Sequence, residues 1–290
     1  MDDSIVFFAG SSHPELAEEI CAQLNIAQSE ISLKAFPDGE LSVEILEDVE
    51  GRDVFILQSL GVNPNHYLME LLIIIDALKR SSAKSITAIV PYLSYCRQDR
   101  RDRPGTPITA KLVANLLSSA GVDHLITCDL HSDQVEGFFE IPVTHLRCQK
   151  LLSDHVKKSI EENFIVVAPD IGSIKIAETM AKFLDVELAV IKKERFNSFD
   201  VEMTLIGDVA NKNVLIPDDL CSTAGTLISA AKLCKEKGAK KTIATATHGL
   251  FVGNAIEKIE SSNLISLIVA NTIPSKIQSS KILSASIASM

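Results

Sequence analysis

The chain has 290 residues, of which 46% are hydrophobic and 23% charged, and this composition predicts a globular protein with enough length for two ordinary domains. Its formal net charge of −10 at pH 7 argues against nucleic acid or an anionic membrane as a partner, because both favour a positive protein surface. The start MDDSIVFFAG has acids where a secretory signal has basic residues, and apolar runs are too short to span a membrane, so we expect a cytoplasmic protein.

Nine short apolar runs recur along the chain, and a segment with helical spacing follows most of them. They are SIVFFAG, DVFILQS, SITAIVPYL, HLITCDL, FIVVAPD, ELAVIKK, NVLIPDD, KTIATATH and LISLIVANT. Near-continuous apolar strands that alternate with amphipathic helices predict the α/β class, with mainly parallel sheets covered on both faces.

The chain also contains a faint internal repeat. VFFA before ELAEEICAQL and VVAP before KIAETMAKFL place Ala17 and Ala177 in the same phase, 160 residues apart. Two unrelated amphipathic helices would produce the same similarity by chance. Together with the chain length, the repeat predicts two doubly wound domains related by pseudo-duplication, residues 1–148 and 149–290.

Ligands of open parallel sheets bind beyond the carboxyl ends of the strands, and here those ends are polar. FPDGEL, residues 36–41, is typical of a turn with an exposed aromatic residue. PYLSYCRQDRRDRPGTPITAK has four arginines, at 97, 100, 101 and 103, a density that can clamp a polyphosphate and that a solvated loop would also show. Asp129, His131 and Asp170 follow strand ends and are candidate Mg²⁺ ligands, although a lone histidine is more often structural.

The segment VLIPDDLCSTAGTL, residues 214–227, has two adjacent acids before a run of small residues. We expect the strand to stop at Pro217 and a helix to begin near Thr226, so that the loop presents backbone N–H groups and a helix N-terminus to a phosphate. Asp218 and Asp219 would then face a vicinal diol, as in ribose 5-phosphate. Ordinary capping and turn chemistry favours the same residue types.

Two further features of the C-terminal half suggest chemistry. Lys192, Lys193 and Arg195 follow a strand and could close over a phosphoryl group, although a solvated charge run is an alternative. The six cysteines lack CxxC spacing, which argues against a zinc site or a disulfide scaffold. Cys221 lies inside the acidic segment, and we hypothesise that its oxidation lowers activity.

Taken together, these motifs resemble the ribose-phosphate pyrophosphokinase family from about residue 5 to 275. The resemblance is carried by FPDGELSVEI, the block from PYLSYCRQD to CDLHSDQVEGFF, APDIG, KKER, GDV, PDDLCSTAGT and NTIP, in that order and spacing. It implies two phosphoribosyltransferase-like domains that transfer the β,γ-pyrophosphoryl group of Mg-ATP to the 1-hydroxyl of ribose 5-phosphate and release AMP.

The resemblance also implies residue roles. Residues matching the ATP site are Phe36, Asp38, Gly39, Glu40, Arg97, Gln98 and Asp102. Residues matching the ribose 5-phosphate site are Arg195, Asp218, Asp219, Ser222, Thr223, Ala224, Gly225 and Thr226. His131 and Asp170 match metal ligands, and Lys193 and Arg195 match catalytic cations. In the family the 36–40 segment reaches a neighbouring subunit, so a homo-oligomer built from dimers, possibly a hexamer, is expected.

The sequence departs from the family pattern at three places. Ser222 replaces a third aspartate that many members have, and Gly105 replaces an arginine that helps to bind a regulatory phosphate. The segment SKIQSSKILSASIASM lacks the usual serine-rich ending with Leu-Phe. We therefore expect weak control by phosphate and ADP. A phosphoribosyltransferase and a catalytically inactive regulatory homologue remain as alternatives, although the former would not need RQDRRDR or KKER.

Overall fold

Two sheets of mainly parallel strands organise the computed structural model, which describes residues 5–159, 163–195, 201–275 and 279–290. The strands are β1 Ile5–Ala9, β2 Ile31–Ala35, β3 Leu41–Ile45, β4 Asp53–Leu57, β5 Ser85–Val90, β6 His124–Cys128, β7 Val143–Leu146, β8 Phe164–Ala168, β9 Leu188–Arg195, β10 Val201–Ile206, β11 Asn213–Cys221, β12 Lys241–Gly249, β13 Ser266–Ala270 and β14 Ile282–Ala285. The helices are α1 Pro14–Leu24, α2 Pro64–Arg80, α3 Thr109–Ala120, α4 Gln149–Ser159, α5 Ile174–Leu184, α6 Gly225–Glu236 and α7 Ala255–Ser261.

The first sheet has five parallel strands in the order β1-β4-β5-β6-β7. Its core packs the sheet against α2 and α3, which contribute Leu71, Ile74 and Leu117 with no measurable exposure. β2 and β3 form a separate antiparallel hairpin whose base packs on this core and on α2. The hairpin tip, residues 36–40, therefore projects from a supported base.

The second sheet has the order β10-β9-β8-β11-β12-β13-β14, and every pair is parallel except β10 with β9. Val214 and Ile216 of β11 pack in the core that α6 and α7 cover, whereas Leu215 between them is equally buried. Because successive side chains of a strand point to opposite faces, both faces of the sheet are covered. α5 contacts β8 and β11 and packs with α4.

The two sheets repeat one topology. The order β8-β11-β12-β13-β14 reproduces β1-β4-β5-β6-β7, and α1 and α5 both have 11 residues and begin at Pro14 and Ile174. The hairpin of β2 and β3 has its counterpart in β9 and β10, which instead join the main sheet. The predicted α/β class with doubly wound, mainly parallel sheets is confirmed.

The chain divides into two compact units. Unit 1 is Met1–Leu146 with Thr272–Pro274 and Ala288–Met290, and unit 2 is Arg147–Asn271 with Ser275–Ile287. The hydroxyl of Ser59 donates to the carbonyl of Thr272 at 2.6 Å, which ties this returning segment to unit 1. Among the described helices, none combines the length and the apolar character needed to cross a membrane.

Candidate active site

The tip of the β2–β3 hairpin carries the first group of predicted ATP residues. The N–H of Phe36 donates to the carbonyl of Glu40 at 2.8 Å, and the N–H of Gly39 donates to the carbonyl of Phe36 at 2.9 Å. Gly39 has φ +93°, a conformation that favours glycine. The N–H of Glu40 donates to Asp38 at 3.2 Å. The tip is thus a defined turn that holds the Phe36 ring in solvent, 54% exposed.

The second predicted ATP group follows β5. Arg97, Gln98 and Asp102 are all exposed. Gln98 joins this segment to the start of α3, because its side-chain oxygen accepts from the hydroxyl of Thr109 at 2.6 Å and its carbonyl accepts from the N–H of Ala110 at 3.2 Å. The backbone of the segment is therefore anchored while its charged side chains face solvent.

The segment after β6 carries the predicted metal ligand His131, which is exposed. Asp129 is 3% exposed and has φ +27°, and its N–H donates to the carbonyl of Leu146 at 3.0 Å. The N–H of Leu130 donates to Nε2 of His145 at 2.8 Å. His145 must present a lone pair at Nε2, so its neutral ring carries the proton on Nδ1. β7 thus fixes the backbone of the two residues that precede His131.

The paired acids of unit 2 lie on a strand. β11 continues through Asp218 and Asp219 to Cys221, so the prediction that it stops at Pro217 is wrong. Its pairing with β12 runs to Cys221, whereas its pairing with β8 ends at Leu215. A proline lacks the N–H that a ladder needs, and it is tolerated here because β8 no longer pairs alongside. The acids therefore lie where β11 extends beyond the end of β8.

A network of contacts links four of the predicted site residues. The hydroxyl of Ser173 lies 3.0 Å from Oδ1 of Asp170 and 3.2 Å from Oδ1 of Asp218. The N–H of Ser173 donates to Oδ1 of Asp170 at 3.1 Å, and the N–H of Asp219 donates to Oδ1 of Asp218 at 3.0 Å. Nζ of Lys193 lies 3.7 Å from Oδ2 of Asp170. Side chains from the segment after β8, from β9 and from the end of β11 thus meet at the carboxyl ends of these parallel strands.

The electrostatics of this network disfavour full ionisation. Burial, followed by the negative charges of Asp219 and Asp170, raises the pKa of Asp218 from 3.8 to about 7. Among the described residues, no group of three or more His, Cys, Asp or Glu side chains is arranged to hold a metal ion by itself. Mg²⁺ is commonly held by one or two carboxylates together with substrate phosphates, so an excess of carboxylate charge of this kind fits that ion.

The residues after the acids form the start of α6. Ser222 and Thr223 make the turn, and Ala224 caps the helix with φ +61°, in the left-handed region. The helix begins at Gly225, one residue before the predicted start at Thr226. The first turn of a helix leaves backbone N–H groups without intrahelical acceptors, and the dipole favours a negative ligand there. The geometry suits a phosphate.

Cys221 is the last residue of β11 and directly precedes the turn before α6. Cys221 is 1% exposed, and burial raises the pKa of its thiol to about 12 with a further contribution from the negative charge of Asp218. Because the thiolate is the reactive form, both observations argue against the hypothesis of an oxidation-sensitive Cys221. Arg195 is the last residue of β9, but its side chain and residues 196–200 lie outside the described part of the chain.

The structure thus brings together Asp170, Lys193, Asp218 and Asp219 and places the Ser222–Thr226 turn directly after them. It places the hairpin tip, the 97–102 segment and His131 in unit 1. Sequence reasoning missed Ser173, whose hydroxyl connects the two carboxylates. In the sequence it resembles an ordinary serine at the start of a helix.

Comparisons with known proteins agree with the resemblance. The model for the N-terminal domain of ribose phosphate pyrophosphokinase matches residues 5–121, and the model for the phosphoribosyl synthetase-associated domain matches residues 196–290. The ribose-phosphate pyrophosphokinase of Wolinella succinogenes is 49% identical over 95% of this chain and 89% of its own length. That of Campylobacter jejuni is 47% identical over 93% of this chain and 88% of its own.

A solved structure shows the same fold. The crystal structure of phosphoribosylpyrophosphate synthetase from Mycobacterium smegmatis is similar with a TM-score of 0.94 and 41% sequence identity. The match covers 99% of this chain and 96% of that one. The similarity therefore extends over both units and over every element that carries a predicted site residue.

Proposed function

The chain belongs to the ribose-phosphate pyrophosphokinase family, and we propose that it transfers the β,γ-pyrophosphoryl group of ATP to ribose 5-phosphate. The anomeric oxygen of the sugar forms a bond to the β-phosphorus. The bond from that phosphorus to the oxygen shared with the α-phosphate breaks, and AMP leaves with that oxygen. The proton of the anomeric hydroxyl passes to solvent. The product, 5-phosphoribosyl 1-pyrophosphate, serves nucleotide biosynthesis.

The observation that carries this proposal is the network of Asp170, Ser173, Lys193 and Asp218 at the carboxyl ends of the strands of the second sheet. We assign the sugar to this position in unit 2. Asp218 and Asp219 would accept hydrogen bonds from the ribose hydroxyls, and the turn of residues 222–226 with the start of α6 would bind the 5-phosphate. Ser222 retains a hydroxyl donor where many members of the family have an aspartate.

We assign ATP to unit 1. The exposed guanidinium of Arg97 can turn towards phosphate oxygens. The side-chain oxygen of Gln98 is held by Thr109, and its amide N–H groups can donate to a phosphate oxygen or the base. Asp102 follows in the same exposed segment. We assign the hairpin tip, with Phe36, Asp38, Gly39 and Glu40, to adenine. An aromatic ring that is 54% exposed on a rigid turn is suited to a partner surface, so we also propose a homo-oligomer built from dimers, possibly a hexamer, in which the tip serves a neighbouring subunit.

Mg²⁺ is the cofactor that we propose, and Asp170 of unit 2 and His131 of unit 1 are each a candidate protein ligand. When bound, it neutralises part of the charge on the triphosphate. Lys193, whose ammonium group already lies beside a carboxylate of the site, would stabilise the charge that develops on the transferring group, and Arg195 would act with it. The reaction has no covalent enzyme intermediate, so positioning and electrostatics account for the rate.

A product assay tests the proposal. Purified protein is incubated with ATP, ribose 5-phosphate and Mg²⁺, and the products are identified by phosphorus NMR and mass spectrometry. AMP and 5-phosphoribosyl 1-pyrophosphate formed together support pyrophosphoryl transfer. ADP in place of AMP would indicate an ordinary kinase. Conversion of a nucleobase and 5-phosphoribosyl 1-pyrophosphate into a nucleotide would indicate a phosphoribosyltransferase. The absence of any turnover would indicate an inactive homologue.

A further inference from the structure

Ser173 stands at the N-terminal boundary of α5 but does not cap it. A serine in that place usually has extended backbone angles, and its oxygen accepts from the N–H of the second or third helical residue. Ser173 instead has φ −88° and ψ 0°, and its side chain makes no capping bond. It is 5% exposed, so its hydroxyl has little access to water. The hydroxyl is therefore committed to its two carboxylate neighbours.

One hydroxyl hydrogen serves two acceptors. Oδ1 of Asp170 lies at 3.0 Å and Oδ1 of Asp218 at 3.2 Å, and a serine O–H has a single hydrogen to donate. Each carboxylate oxygen also accepts from a backbone N–H, that of Ser173 for Asp170 and that of Asp219 for Asp218. These backbone bonds hold each carboxylate separately. Besides the direct effect of one negative charge on the other, the hydroxyl is the contact that makes the orientation of one carboxylate depend on the state of the other.

We propose that Ser173 is a positioning residue that couples the binding of Mg²⁺ to the binding of ribose 5-phosphate. This inference rests on the proposed function, in which Asp170 holds the ion and Asp218 binds the sugar. A cation at Asp170 would neutralise the negative charge of that carboxylate and weaken it as a hydrogen-bond acceptor. The hydroxyl of Ser173 would then donate its hydrogen to Asp218. Asp218 is then held in one orientation before the sugar binds, which reduces the conformational entropy that its side chain loses on binding. By thermodynamic linkage, the sugar strengthens the binding of the ion by the same factor.

The experiment measures the coupling directly by calorimetry, without ATP and without turnover. Ribose 5-phosphate is titrated into the whole protein with Mg²⁺ present and again with the ion removed by chelation. We expect Mg²⁺ to lower the dissociation constant of the wild-type protein by about fivefold or more, the lower end of ordinary coupling between sites. Ser173→Ala should lose most of this factor, whereas Ser173→Thr keeps the hydroxyl and should retain it.

The control variant is Ser229→Ala, which removes a hydroxyl from the exposed face of α6 and should keep the wild-type coupling. Thermal unfolding of each variant checks that the fold is retained. An unchanged coupling factor in Ser173→Ala would overturn the proposal, and so would a wild-type affinity for ribose 5-phosphate that Mg²⁺ leaves unaltered. Either result leaves the proposed function intact if the product assay yields AMP. Failure of that assay and of sugar binding together would instead refute the proposed function.

Discussion

Replacement of Asp218 by asparagine should remove a pH dependence from the stability of the protein. Burial, together with the charges of Asp219 and Asp170, raises the pKa of Asp218 from 3.8 to about 7. Between about pH 4 and pH 7 the folded protein therefore keeps a proton that the unfolded chain releases. The unfolding free energy should fall as the pH rises through this window and become level above it.

The size of the effect follows from the interval between the two pKa values. At about 1.4 kcal/mol for each pH unit, an interval from 3.8 to about 7 corresponds to at most about 4 kcal/mol. Asp218 is only partly buried, and it keeps hydrogen bonds to Ser173 and to the N–H of Asp219. Because these contacts and nearby water also support the ionised form, we expect about 2 kcal/mol.

Urea unfolding at several pH values between 4 and 8, with a chelator present, measures this difference. The unfolding free energy of the wild-type protein should decrease across the window by about 2 kcal/mol more than that of Asp218→Asn. Asp208→Asn, in an exposed loop of the same unit, is the matched control and should keep the wild-type slope. Parallel profiles for Asp218→Asn and the wild type would refute the claim that Asp218 carries the buried proton.

Four further outcomes are expected. Lys193→Ala should lower kcat by about 100-fold or more with little change in the KM for ribose 5-phosphate, because the cation acts on the transferring group, and steady-state kinetics measures both constants. Mild peroxide should leave the activity unchanged, because the thiol of Cys221 is buried and has a raised pKa. His145→Leu should lower the unfolding free energy by about 1–3 kcal/mol, as the N–H of Leu130 loses its acceptor, with His145→Gln as the milder control in urea unfolding. Inorganic phosphate should activate less than about twofold in rate assays, whereas ordinary regulatory effects are about fivefold or larger, since Gly105 replaces the arginine of many members.

The sequence predicts the interior strands better than the edge strands. Each of the nine apolar runs is a strand of the structure, namely β1, β4, β5, β6, β8, β9, β11, β12 and β13. The strands without a predicted run in the main sheets, β7, β10 and β14, all lie at sheet edges. An edge strand is covered less completely and tolerates polar residues, so its sequence lacks the continuous apolar pattern. β2 and β3 were missed because they form a two-stranded hairpin of half-exposed residues.

In the candidate site, the sequence predicts the features that neighbouring residues form and misses the contacts between residues that are distant in the chain. The paired acids and the turn before α6 were predictable, because strand, turn and helix are adjacent in the sequence. The contact of Ser173 with Asp218 joins residues 45 positions apart and depends on the register of β8 and β11, which no local pattern specifies. The length of β11 beyond Pro217 depends likewise on β12 continuing after β8 has ended.

The location of the acidic network has a topological cause. From β8 the chain passes through α5 to β9 on one side, while β11 pairs on the other side of β8. Two neighbouring parallel strands whose connections leave in opposite directions open a crevice at their carboxyl ends, and ligands of such sheets bind there. Asp170 follows β8, and Asp218 lies in the part of β11 that extends beyond its pairing with β8, so both carboxylates lie at this crevice of unit 2.

Unit 1 has an equivalent crevice between β1 and β4, but side chains of the protein itself occupy it. The N–H of Ser12 donates to Oε1 of Gln58 at 3.2 Å, and the N–H of Ser59 donates to the hydroxyl of Ser12 at 2.8 Å. A side chain at Gly10 would place its Cβ 2.4 Å from Oε1 of Gln58, so the glycine is needed for this closure. All three polar residues are less than 5% exposed. Gln58 in turn donates from Nε2 to the buried carboxylate of Glu70 at 2.7 Å. The duplicated topology therefore offers two crevices. The one in unit 2 has the carboxylates of the candidate site at its opening, whereas the one in unit 1 is closed by buried hydrogen bonds. The predicted ATP residues of unit 1 lie elsewhere, in the hairpin tip and in the segment after β5.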